Sequence, residues 1–309
     1  MSEALPHRIG WVGTGRMGFR LCERLLAAGC DLAVYNRTRS KAEPLADHGA
    51  TIVDVPSDLA DRDIVFTMVA GPKDVMEVAF GDNGVLSGDE TPQVLVDVTT
   101  IDPGTAAQLS RRAEELGTSV VAAPVSGNPK VVATGKLTVV ASGPKLAFDT
   151  VQPYLNAFGK KVTYVGEGDE ARLVKICHNL MLGIVAQTMA ETSILVEAAG
   201  VSRGDYLEFL NESVMGSVFT RYKTPAYVNL DYTPTFTWPL LRKDLELGID
   251  AGREHDVPMP LSNLVHQIVV EGIGRGFGDL DFAALLSKHA EDSGREVIAE
   301  NREVSDGLT

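Results

Sequence analysis

The sequence is poor in cysteine and in positive charge, and both scarcities limit what the protein can be. Its three cysteines, Cys22, Cys30 and Cys177, follow no metal-ligand spacing. We therefore expect reduced thiols in a cytoplasmic protein, with no metal site. Only 28 lysines and arginines stand against 42 acidic residues, which gives a net charge of -14. This balance argues against nucleic acid or an anionic membrane as a partner, although a small anionic substrate can still meet a locally positive site.

Signals for secretion or membrane insertion are also missing from the sequence. Residues 1–7 are too short and too polar to contain the apolar core of a signal peptide. No apolar run is long enough to cross a bilayer, so we expect no membrane-spanning segment. The 309 residues are 44% hydrophobic and 23% charged, which is an ordinary composition for a globular protein. This length predicts about two domains.

A glycine-rich turn opens the chain in the setting that dinucleotide-binding proteins use. Residues 8–12 read as a buried strand, a helical pattern follows up to Gly29, and residues 31–35 read as a second strand. Between the first strand and the helix lies a G-x-G-x-x-G made of Gly13, Thr14, Gly15, Arg16, Met17 and Gly18. The glycines allow a tight turn, and the helix N-terminus receives a pyrophosphate. A purely structural glycine turn is the alternative, which the strand–helix–strand context disfavours.

The end of the second strand indicates which cofactor the chain binds. An NAD site usually carries an aspartate or glutamate there, which bonds the ribose 2′-hydroxyl group. This chain carries Asn36, Arg37 and Thr38 instead. Because an arginine can stack on adenine and pair with a 2′-phosphate, the sequence predicts NADP as the preferred cofactor, with NAD as the second candidate. A solvated loop arginine is the alternative interpretation.

Strands and helices continue to alternate through the first half of the chain. Strands are predicted at residues 64–69, 94–98, 119–123 and 137–141, with helical patterns between most of them. This alternation is typical of an α/β fold with a doubly wound, mainly parallel sheet. Ligands of such sheets lie at the carboxyl ends of the strands, which predicts one crevice lined by Val69, Thr100, Ser126 and Gly127. Ser126 and Gly127 can offer a hydroxyl group and backbone amides to a carboxylate, or they form an ordinary turn.

Helical patterns replace the strands after Gly166. They cover residues 175–199, 203–211, 240–254, 261–273 and 282–286. We therefore expect a Rossmann-type domain over residues 1–166 and an all-helical domain over residues 167–309, joined by a long interdomain helix. Residues 300–309 are polar and acidic, and we expect them to fray.

A lysine lies within the apolar pattern of that long helix and needs an explanation. Lys175 and Asn179 are four residues apart, so they share one helix face. The lysine stem can lie along apolar surface and carry its ammonium group to water. Alternatively the amine transfers a proton, since burial readily shifts the pKa of a lysine. Lys243 and Asp244 also lie inside an apolar helix, where a surface ion pair is the simpler interpretation.

Four sequence blocks occur in one order along nearly the whole chain. The first block is residues 10–18, which include the glycine turn, and the second is Asp97-Val98-Thr99-Thr100 with Asp102-Pro103. The third is Pro124-Val125-Ser126-Gly127 with residues 133–138, and the fourth is Lys175-Ile176-Cys177-His178-Asn179 with Lys243-Asp244-Leu245. Together these blocks resemble the β-hydroxyacid dehydrogenases. That family contains 3-hydroxyisobutyrate, tartronate semialdehyde and glyoxylate/succinic semialdehyde reductases, with 6-phosphogluconate dehydrogenase as a larger relative. Singly none of the blocks is specific, but jointly they are.

The resemblance implies an NADP-preferring oxidoreductase that interconverts a small β-hydroxy acid and its semialdehyde or keto acid. It implies that Lys175 takes and returns the proton of the hydroxyl group, which Asn179 orients. The implied contacts of a carboxylate-bearing substrate are Thr100, Ser126, Gly127, Asn128, Phe236 and Asp244. The implied cofactor contacts are the six residues of the glycine turn, Asn36, Arg37, Thr38, Val69, Thr100 and Lys243. The resemblance also implies a homodimer or a homotetramer.

The chain departs from the family pattern at several positions. Asn128 replaces a glycine of the substrate loop, and Ala122 replaces the acidic residue that begins the same motif. The Lys-x-x-His-Asn pattern that contains His178 resembles that of 6-phosphogluconate dehydrogenase, whereas most of the shorter family members carry asparagine in place of this histidine. Leu182 nevertheless replaces the acidic residue on that enzyme's next turn, and the chain is much shorter. A decarboxylating sugar-phosphate enzyme is therefore disfavoured.

Two other functions remain open at this level. An imine or keto-acid reductase can use the same scaffold, but such relatives usually replace the lysine found here as Lys175. A catalytically silent nucleotide-binding module is the alternative outside enzymes. The presence of Lys175, Asn179 and Ser126 together argues against it.

Overall fold

A six-stranded parallel sheet forms the centre of the first half of the computed structural model, which describes residues 5–308. Its strands are β1 (Ile9–Val12), β2 (Leu32–Tyr35), β3 (Thr51–Ile52), β4 (Ile64–Thr67), β5 (Val94–Asp97) and β6 (Ser119–Ala122), in the order β3-β2-β1-β4-β5-β6. Helices α1 (Arg16–Ala27), α2 (Pro72–Phe80) and α3 (Pro103–Glu115) connect neighbouring strands. The predicted doubly wound sheet is confirmed, and its strand order reverses at β1.

The strands β1, β4 and β5 are buried at every position. A parallel sheet is covered on both faces, which explains why its strands are nearly continuous apolar runs. Two polar side chains interrupt these runs, Thr67 as the last residue of β4 and Asp97 as the last residue of β5. Both lie at the carboxyl ends of their strands, where the ligand-binding loops of such sheets begin.

A second, three-stranded sheet follows β6. It contains β7 (Val125–Ser126), β8 (Leu137–Ala141) and β9 (Gly159–Tyr164), together with the helices α4 (Pro129–Ala133) and α5 (Lys145–Phe158). The sequence analysis placed residues 137–141 in the main sheet, which is wrong. β7 begins just after β6 ends and pairs antiparallel with β8. The connection between β6 and β7 is too short for a crossover to another parallel strand of the main sheet, so β7 begins a separate sheet, in which residues 137–141 pair with it.

The chain divides into two compact units, residues up to Lys175 and residues from Ile176 onward. Helix α6 (Glu170–Ala198) runs through this division. Its first turn belongs to the first unit and is bonded to it, since the Nη1 of Arg172 lies 2.8 Å from the Oδ2 of Asp97. The division lies beyond residue 166, where the strand patterns of the sequence end.

Helices make up the second unit. After α6 come α7 (Arg203–Glu212), α8 (Val218–Asn229), α9 (Trp238–Glu254), α10 (Pro260–Gly274) and α11 (Leu285–Asp292), with one turn of 3-10 helix over Phe282–Ala284. The predicted all-helical domain is confirmed. The sequence analysis missed α8, because Pro225 lies inside this helix and normally indicates a helix end. Apolar side chains from α6 to α11 form the core, among them Leu180, Tyr227, Trp238, Val269 and Phe282.

Helix α6 corrects one expectation about membranes. By length and composition it is apolar enough to cross a bilayer, with a mean hydropathy of 1.3 over its most apolar window. The expectation that no such run exists is therefore wrong. A helix that is apolar on most sides also forms the core of large water-soluble proteins. Leu180, Ala186, Met189 and Ile194 of α6 are buried in the core of the second unit, so length and apolarity alone carry no further conclusion.

The C-terminal tail, residues 300–308, is held against the second unit instead of fraying. Glu300 accepts a hydrogen bond from the backbone N–H of Arg203 (2.7 Å), and Arg302 forms ion pairs with two carboxylates of α7. The guanidinium group of Arg203 is fully buried and donates to the carbonyl oxygen of Ile298 (2.6 Å). The polar composition was misleading because the charged residues of this tail form ion pairs with the unit beneath it.

Candidate functional site

The carboxyl ends of four neighbouring strands lie side by side in the first unit. Val12, Thr67, Asp97 and Ala122 are direct register partners across β1, β4, β5 and β6. The predicted ligand residues follow these ends along the chain: the glycine turn follows β1, Val69 follows β4, Thr100 follows β5, and Ser126 follows β6. Their loops therefore leave one edge of the sheet, at the place where a doubly wound fold binds its ligand.

The three glycines of the glycine turn differ in how much room each leaves for a side chain. Gly13 has φ +99°, and a Cβ added there would lie 2.2 Å from the carbonyl oxygen of Met68. A Cβ added at Gly18 would lie 2.1 Å from the carbonyl oxygen of Gly13, because α1 packs against the turn itself. Gly15 is exposed at the start of α1, and a Cβ added there would meet no atom within 4 Å. Gly13 and Gly18 thus shape the turn, whereas the space beside Gly15 is open to a ligand.

Asn36, directly after β2, is turned toward the glycine turn. Its Oδ1 accepts a hydrogen bond from the backbone N–H of Thr14 (2.8 Å), and its Nδ2 donates to the carbonyl oxygen of Thr38 (2.8 Å). The side chain of Arg37 is 84% exposed, and its Nη1 lies 3.2 Å from the Oδ1 of Asp74 on α2. The loop after β2 therefore presents an exposed guanidinium group and no carboxylate of its own.

These residues fit a nicotinamide dinucleotide. The first turn of α1 contains no acidic residue, so the partial positive charge of this helix N-terminus is available to a pyrophosphate. Gly15 leaves room for the close approach of such a group. The hydroxyl group of Thr14 is buried and has no hydrogen-bond partner within residues 5–308. A buried polar group of this kind usually has a partner, which a bound ligand can supply.

A buried ion pair fixes the end of β5. The Oδ1 of Asp97 accepts hydrogen bonds from the Thr67 hydroxyl group (2.7 Å) and from the backbone N–H of Thr99 (3.2 Å). Its Oδ2 accepts from the Nη1 of Arg172 (2.8 Å), which also donates to the carbonyl oxygen of Thr99 (3.0 Å). The Thr99 hydroxyl group in turn accepts from the backbone N–H of Val69 (3.1 Å). This network holds the backbone next to two predicted ligand contacts, Val69 and Thr100.

The sequence analysis did not single out Arg172, although two signals pointed to it. Asp97 ends a fully buried strand, and a buried carboxylate needs a cation or several donors. Arg172 lies in the apolar helix three residues before Lys175, on the same side of the helix. The sequence contains both charges but does not show that they meet.

Helix α6 places Lys175 and Asn179 one turn apart, and a chain of polar contacts begins at Asn179. Its Oδ1 lies 2.9 Å from the Nδ1 of His178, and its Nδ2 donates to the Oδ2 of Asp244 (2.6 Å). The Nζ of Lys243 lies 3.1 Å from the other oxygen of Asp244. The side chain of Lys243 is partly exposed, but Asp244 is buried, so the two residues do not form an ordinary surface ion pair. The contacts of Asn179 with His178 and Asp244 fix the orientation of its amide group.

The substrate loop of the family pattern is tightly shaped here. Gly127 has φ +142°, and a Cβ added there would lie 2.8 Å from side-chain carbons of Leu137 and Val131. The Oδ1 of Asn128 accepts a hydrogen bond from the backbone N–H of Val131 (3.0 Å) and caps α4. Asn128 is therefore a helix cap, and its contact with a substrate stays a prediction. Ser126 ends β7 and is partly exposed.

Within the second unit, the segment that carries Phe236 is fixed by another buried ion pair. Asp281 accepts hydrogen bonds from the backbone N–H groups of Thr235 (2.8 Å) and Phe236 (3.2 Å), and it pairs with Lys223. Burial lowers the pKa of Lys223, and the neighbouring carboxylate of Asp281 opposes this shift. The ring of Phe236 packs edge-on against that of Phe282, at 5.8 Å between centroids. Sequence reasoning missed Lys223, which lies in the unpredicted helix α8.

Two described families match the chain in succession. The NAD-binding domain of 6-phosphogluconate dehydrogenase matches residues 8–166, and the family described as NAD-binding of NADP-dependent 3-hydroxyisobutyrate dehydrogenase matches residues 169–288. An uncharacterized oxidoreductase of Bacillus subtilis is 32% identical, over 90% of this chain and 98% of its own. The chain belongs to the β-hydroxyacid dehydrogenase family. As a β-hydroxyacid dehydrogenase it is an NAD(P)-dependent oxidoreductase, which the four sequence blocks predicted.

Relatives of this β-hydroxyacid dehydrogenase cover nearly its full length. Glyoxylate/succinic semialdehyde reductase 2 of Arabidopsis thaliana is 28% identical, over 93% of this chain and 81% of its own. A solved structure of 3-hydroxyisobutyrate dehydrogenase from Mycobacterium tuberculosis with L-serine superposes with a TM-score of 0.79 at 25% identity, covering 92% of this chain and 99% of its own. The structure of Psf3 with NADP+ and 2-OPP gives a TM-score of 0.80 at 26% identity, over 90% and 99%.

Two similar proteins bear on the alternative functions. Cytokine-like nuclear factor N-PAC of Xenopus tropicalis is 30% identical over 90% of this chain, which spans 52% of that protein. An imine reductase from Pseudomonas sp. superposes with a TM-score of 0.59 at 19% identity, which shows the shared fold alone. Proteins that are named for other functions thus resemble this chain, and its specific reaction has to be argued from individual residues.

Proposed function

We propose that this β-hydroxyacid dehydrogenase interconverts a small β-hydroxy acid and its semialdehyde or keto acid, with NADP(H) as the preferred cofactor. The position of Lys175 is the observation that carries the proposal. Lys175 lies three residues after Arg172 in α6, so the two residues share one side of the helix. The guanidinium group of Arg172 is bonded to Asp97 and Thr99 at the end of β5. The carboxyl end of such a strand is where a Rossmann-type sheet receives its ligands.

Lys175 supplies the proton chemistry in this proposal. The neutral amine accepts the proton of the substrate hydroxyl group in oxidation, and the ammonium group returns it in reduction. The nicotinamide, when bound, takes up or supplies the hydride. Asn179 orients the hydroxyl group from the next turn of α6. Since His178 and Asp244 fix the Asn179 amide, its second N–H keeps one direction instead of rotating among several.

The remaining site residues take the roles that the family resemblance gives them. Ser126 and Gly127 bind the substrate carboxylate, and Thr100 lies beside both ligands. The other proposed substrate contacts are Asn128, Phe236 and Asp244, and the other proposed cofactor contacts are the glycine turn, Asn36, Arg37, Thr38, Val69 and Lys243. We also propose a cytoplasmic homodimer or homotetramer, a state that analytical ultracentrifugation measures directly.

NADPH is expected to be preferred over NADH, and Arg37 is expected to be the reason. The loop after β2 offers the exposed guanidinium group of Arg37 and no carboxylate for a ribose 2′-hydroxyl group. Arg37→Ser should raise the KM for NADPH about tenfold to hundredfold, the worth of a hydrogen bond to a charged group, while the KM for NADH changes little. Steady-state kinetics with both cofactors measure this.

A neighbouring arginine provides the matched control for this experiment. Arg39 lies two residues further on and forms ion pairs with Glu43 and Asp54, so Arg39→Ser should leave both KM values unchanged. Equal kcat/KM for the two cofactors in the wild-type protein would contradict the NADP preference. Equal effects of Arg37→Ser and Arg39→Ser would instead show that general surface charge sets the KM.

A free carboxylate on the substrate is expected to be required. Ser126 and Gly127, which follow β6, are proposed to donate a hydroxyl group and backbone N–H groups to the substrate, and donors of this kind favour a carboxylate over an ester. The methyl ester of the best hydroxy acid should show kcat/KM lower by about tenfold or more. Ser126→Ala should lower kcat/KM for the acid and leave the weak activity on the ester unchanged. An ester that turns over as well as its acid would refute the assignment.

One screen separates this proposal from the imine reductase alternative. Hydroxy acids, their semialdehydes and cyclic imines are offered with NADP(H) and NAD(H), and the rate of absorbance change at the nicotinamide band is recorded. We expect turnover with hydroxy acids or semialdehydes and none with imines. Turnover confined to imines would replace the proposed function.

A further inference from the structure

We propose that Arg172 is a positioning residue, which sets the place of the Lys175 amine through its ion pair with Asp97. The inference rests on the proposed function, because it concerns the acid and base of that reaction. Arg172 is not proposed to touch the substrate. It acts through the first turn of α6, which it holds at the carboxyl end of β5.

Both partners of this ion pair are held on several sides. Asp97 is completely buried and Arg172 is 4% exposed. One nitrogen of Arg172, Nη1, bridges the Oδ2 of Asp97 and the carbonyl oxygen of Thr99. The other oxygen of Asp97 is bound by the Thr67 hydroxyl group and the Thr99 N–H. The guanidinium group therefore has one position relative to the strand end, and the backbone of α6 has to follow it.

The position of Arg172 determines that of Lys175 because both lie in one continuous helix. Residues three apart point to the same side of an α-helix and are about 4.5 Å apart along its axis. A second contact fixes the same turn, since the backbone N–H of Ala171 donates to the buried hydroxyl group of Ser142 (3.0 Å). The turn of α6 that precedes Lys175 is thus attached to the first unit at two points, and only one of them involves a charge.

Stability alone does not explain the ion pair. Taking two charges out of water costs about as much as their attraction returns, so buried ion pairs are poor stabilisers compared with apolar side chains of similar size. The Nη2 of Arg172 is also buried, and it has no acceptor in the part of the chain that the structure describes. An unsatisfied buried donor makes the arrangement costlier still. A defined helix position beside Lys175 is a benefit that apolar side chains would not provide.

Replacing Arg172 with methionine tests the inference, because methionine keeps most of the stem and removes the guanidinium nitrogen that joins Asp97 to Thr99. We expect kcat to fall by about tenfold to hundredfold, as small misplacements of a catalytic group do. The Kd for NADPH should change by a smaller factor than kcat, because Arg172 bonds to Thr99, next to the proposed cofactor contact Thr100, whereas none of its bonds in the described part of the chain reaches the glycine turn. Arg172→Lys should recover part of the lost kcat, since its single ammonium group can still pair with Asp97. An unchanged kcat in Arg172→Met would overturn the inference.

Two further variants separate positioning from stability. Arg203→Met removes a fully buried arginine of the second unit, so it should lower the melting temperature and leave kcat unchanged. Asp97→Asn keeps an oxygen for Thr67 and Thr99 and removes the buried charge at Arg172 Nη1, while Asp169 still pairs with Arg172 Nε. This variant replaces Arg172→Met if that protein does not fold. A loss of kcat in Arg203→Met as large as in Arg172→Met would show that instability, and not position, lowers the rate.

A structural measurement keeps this inference separate from the proposed function. Lysine amines are converted to 13C-dimethylamines, and the resonance of Lys175 is assigned by its absence in Lys175→Arg. We expect Arg172→Met and Asp97→Asn to shift this resonance and Arg203→Met to leave it in place. An unmoved resonance in Arg172→Met overturns the positioning role even in an active enzyme. A wild-type protein without turnover on the substrate panel refutes the proposed function, whereas the resonance still decides the role of Arg172.

Discussion

Replacing Lys175 with methionine is expected to lower kcat by roughly two to four orders of magnitude, the usual worth of a general base. Methionine keeps most of the stem volume of lysine and removes the amine. The Kd for NADPH should not change, because the proposed cofactor contacts of the glycine turn and Arg37 follow β1 and β2. The measurements are steady-state kcat on the best substrate and a fluorescence titration with NADPH.

The pH profile gives a second test of Lys175. Only the neutral amine can accept a proton, so the rate of oxidation should rise with pH in the wild-type protein. This rise should disappear in Lys175→Met. Lys161→Met is the control, because Lys161 is exposed on β9 and should change neither kcat nor the profile. A Lys175→Met protein with near wild-type kcat would show that the amine only carries its charge to water.

The second large effect is expected from the glycine turn, where neighbouring glycines should respond in opposite ways. Gly13→Ala forces a side chain into a left-handed backbone conformation and against the carbonyl oxygen of Met68. Conformational strain and overpacking together should lower the free energy of unfolding by about 3 kcal/mol or more. Thermal or denaturant unfolding of the protein without cofactor measures this loss.

Gly15→Ala is the matched variant, and it should act on the cofactor instead of the fold. An added Cβ at Gly15 meets no protein atom, so the free energy of unfolding should stay within about 0.5 kcal/mol of wild type. The methyl group occupies the open space at the start of α1, and the affinity for NADPH should fall about tenfold or more, the worth of one bond to a charged group. Gly15→Ala with wild-type affinity would mean that the cofactor does not approach this turn.

Short-range patterns explain why much of the first unit could be predicted. A buried parallel strand is a run of apolar residues, so β1, β4 and β5 are visible in the sequence itself. The helix cap at Asp102 is also local, since its carboxylate accepts from the backbone N–H of Thr105 three residues on. Residues placed directly after such strands, as Val69 and Thr100 are, could be assigned to one edge of the sheet from the chain order alone.

The parts that could not be predicted depend on contacts between distant residues. Asp97 and Arg172 are 75 residues apart, and Lys223 and Asp281 are 58 apart, so no local pattern links either pair. The antiparallel pairing of β8 with β7 is equally invisible in the alternation of residues 137–141.

The buried guanidinium group of Arg203 ties α7 to residues that the ribosome makes much later. Its acceptor Ile298 lies 95 residues further along, and Glu300, which accepts from its backbone N–H, lies 97 residues further along. The first unit, by contrast, has all its residues once Lys175 has left the exit tunnel. Domains fold in this order during synthesis. During synthesis, all residues of the first unit are therefore present before the chain has reached the residues that bind Arg203 in the second unit.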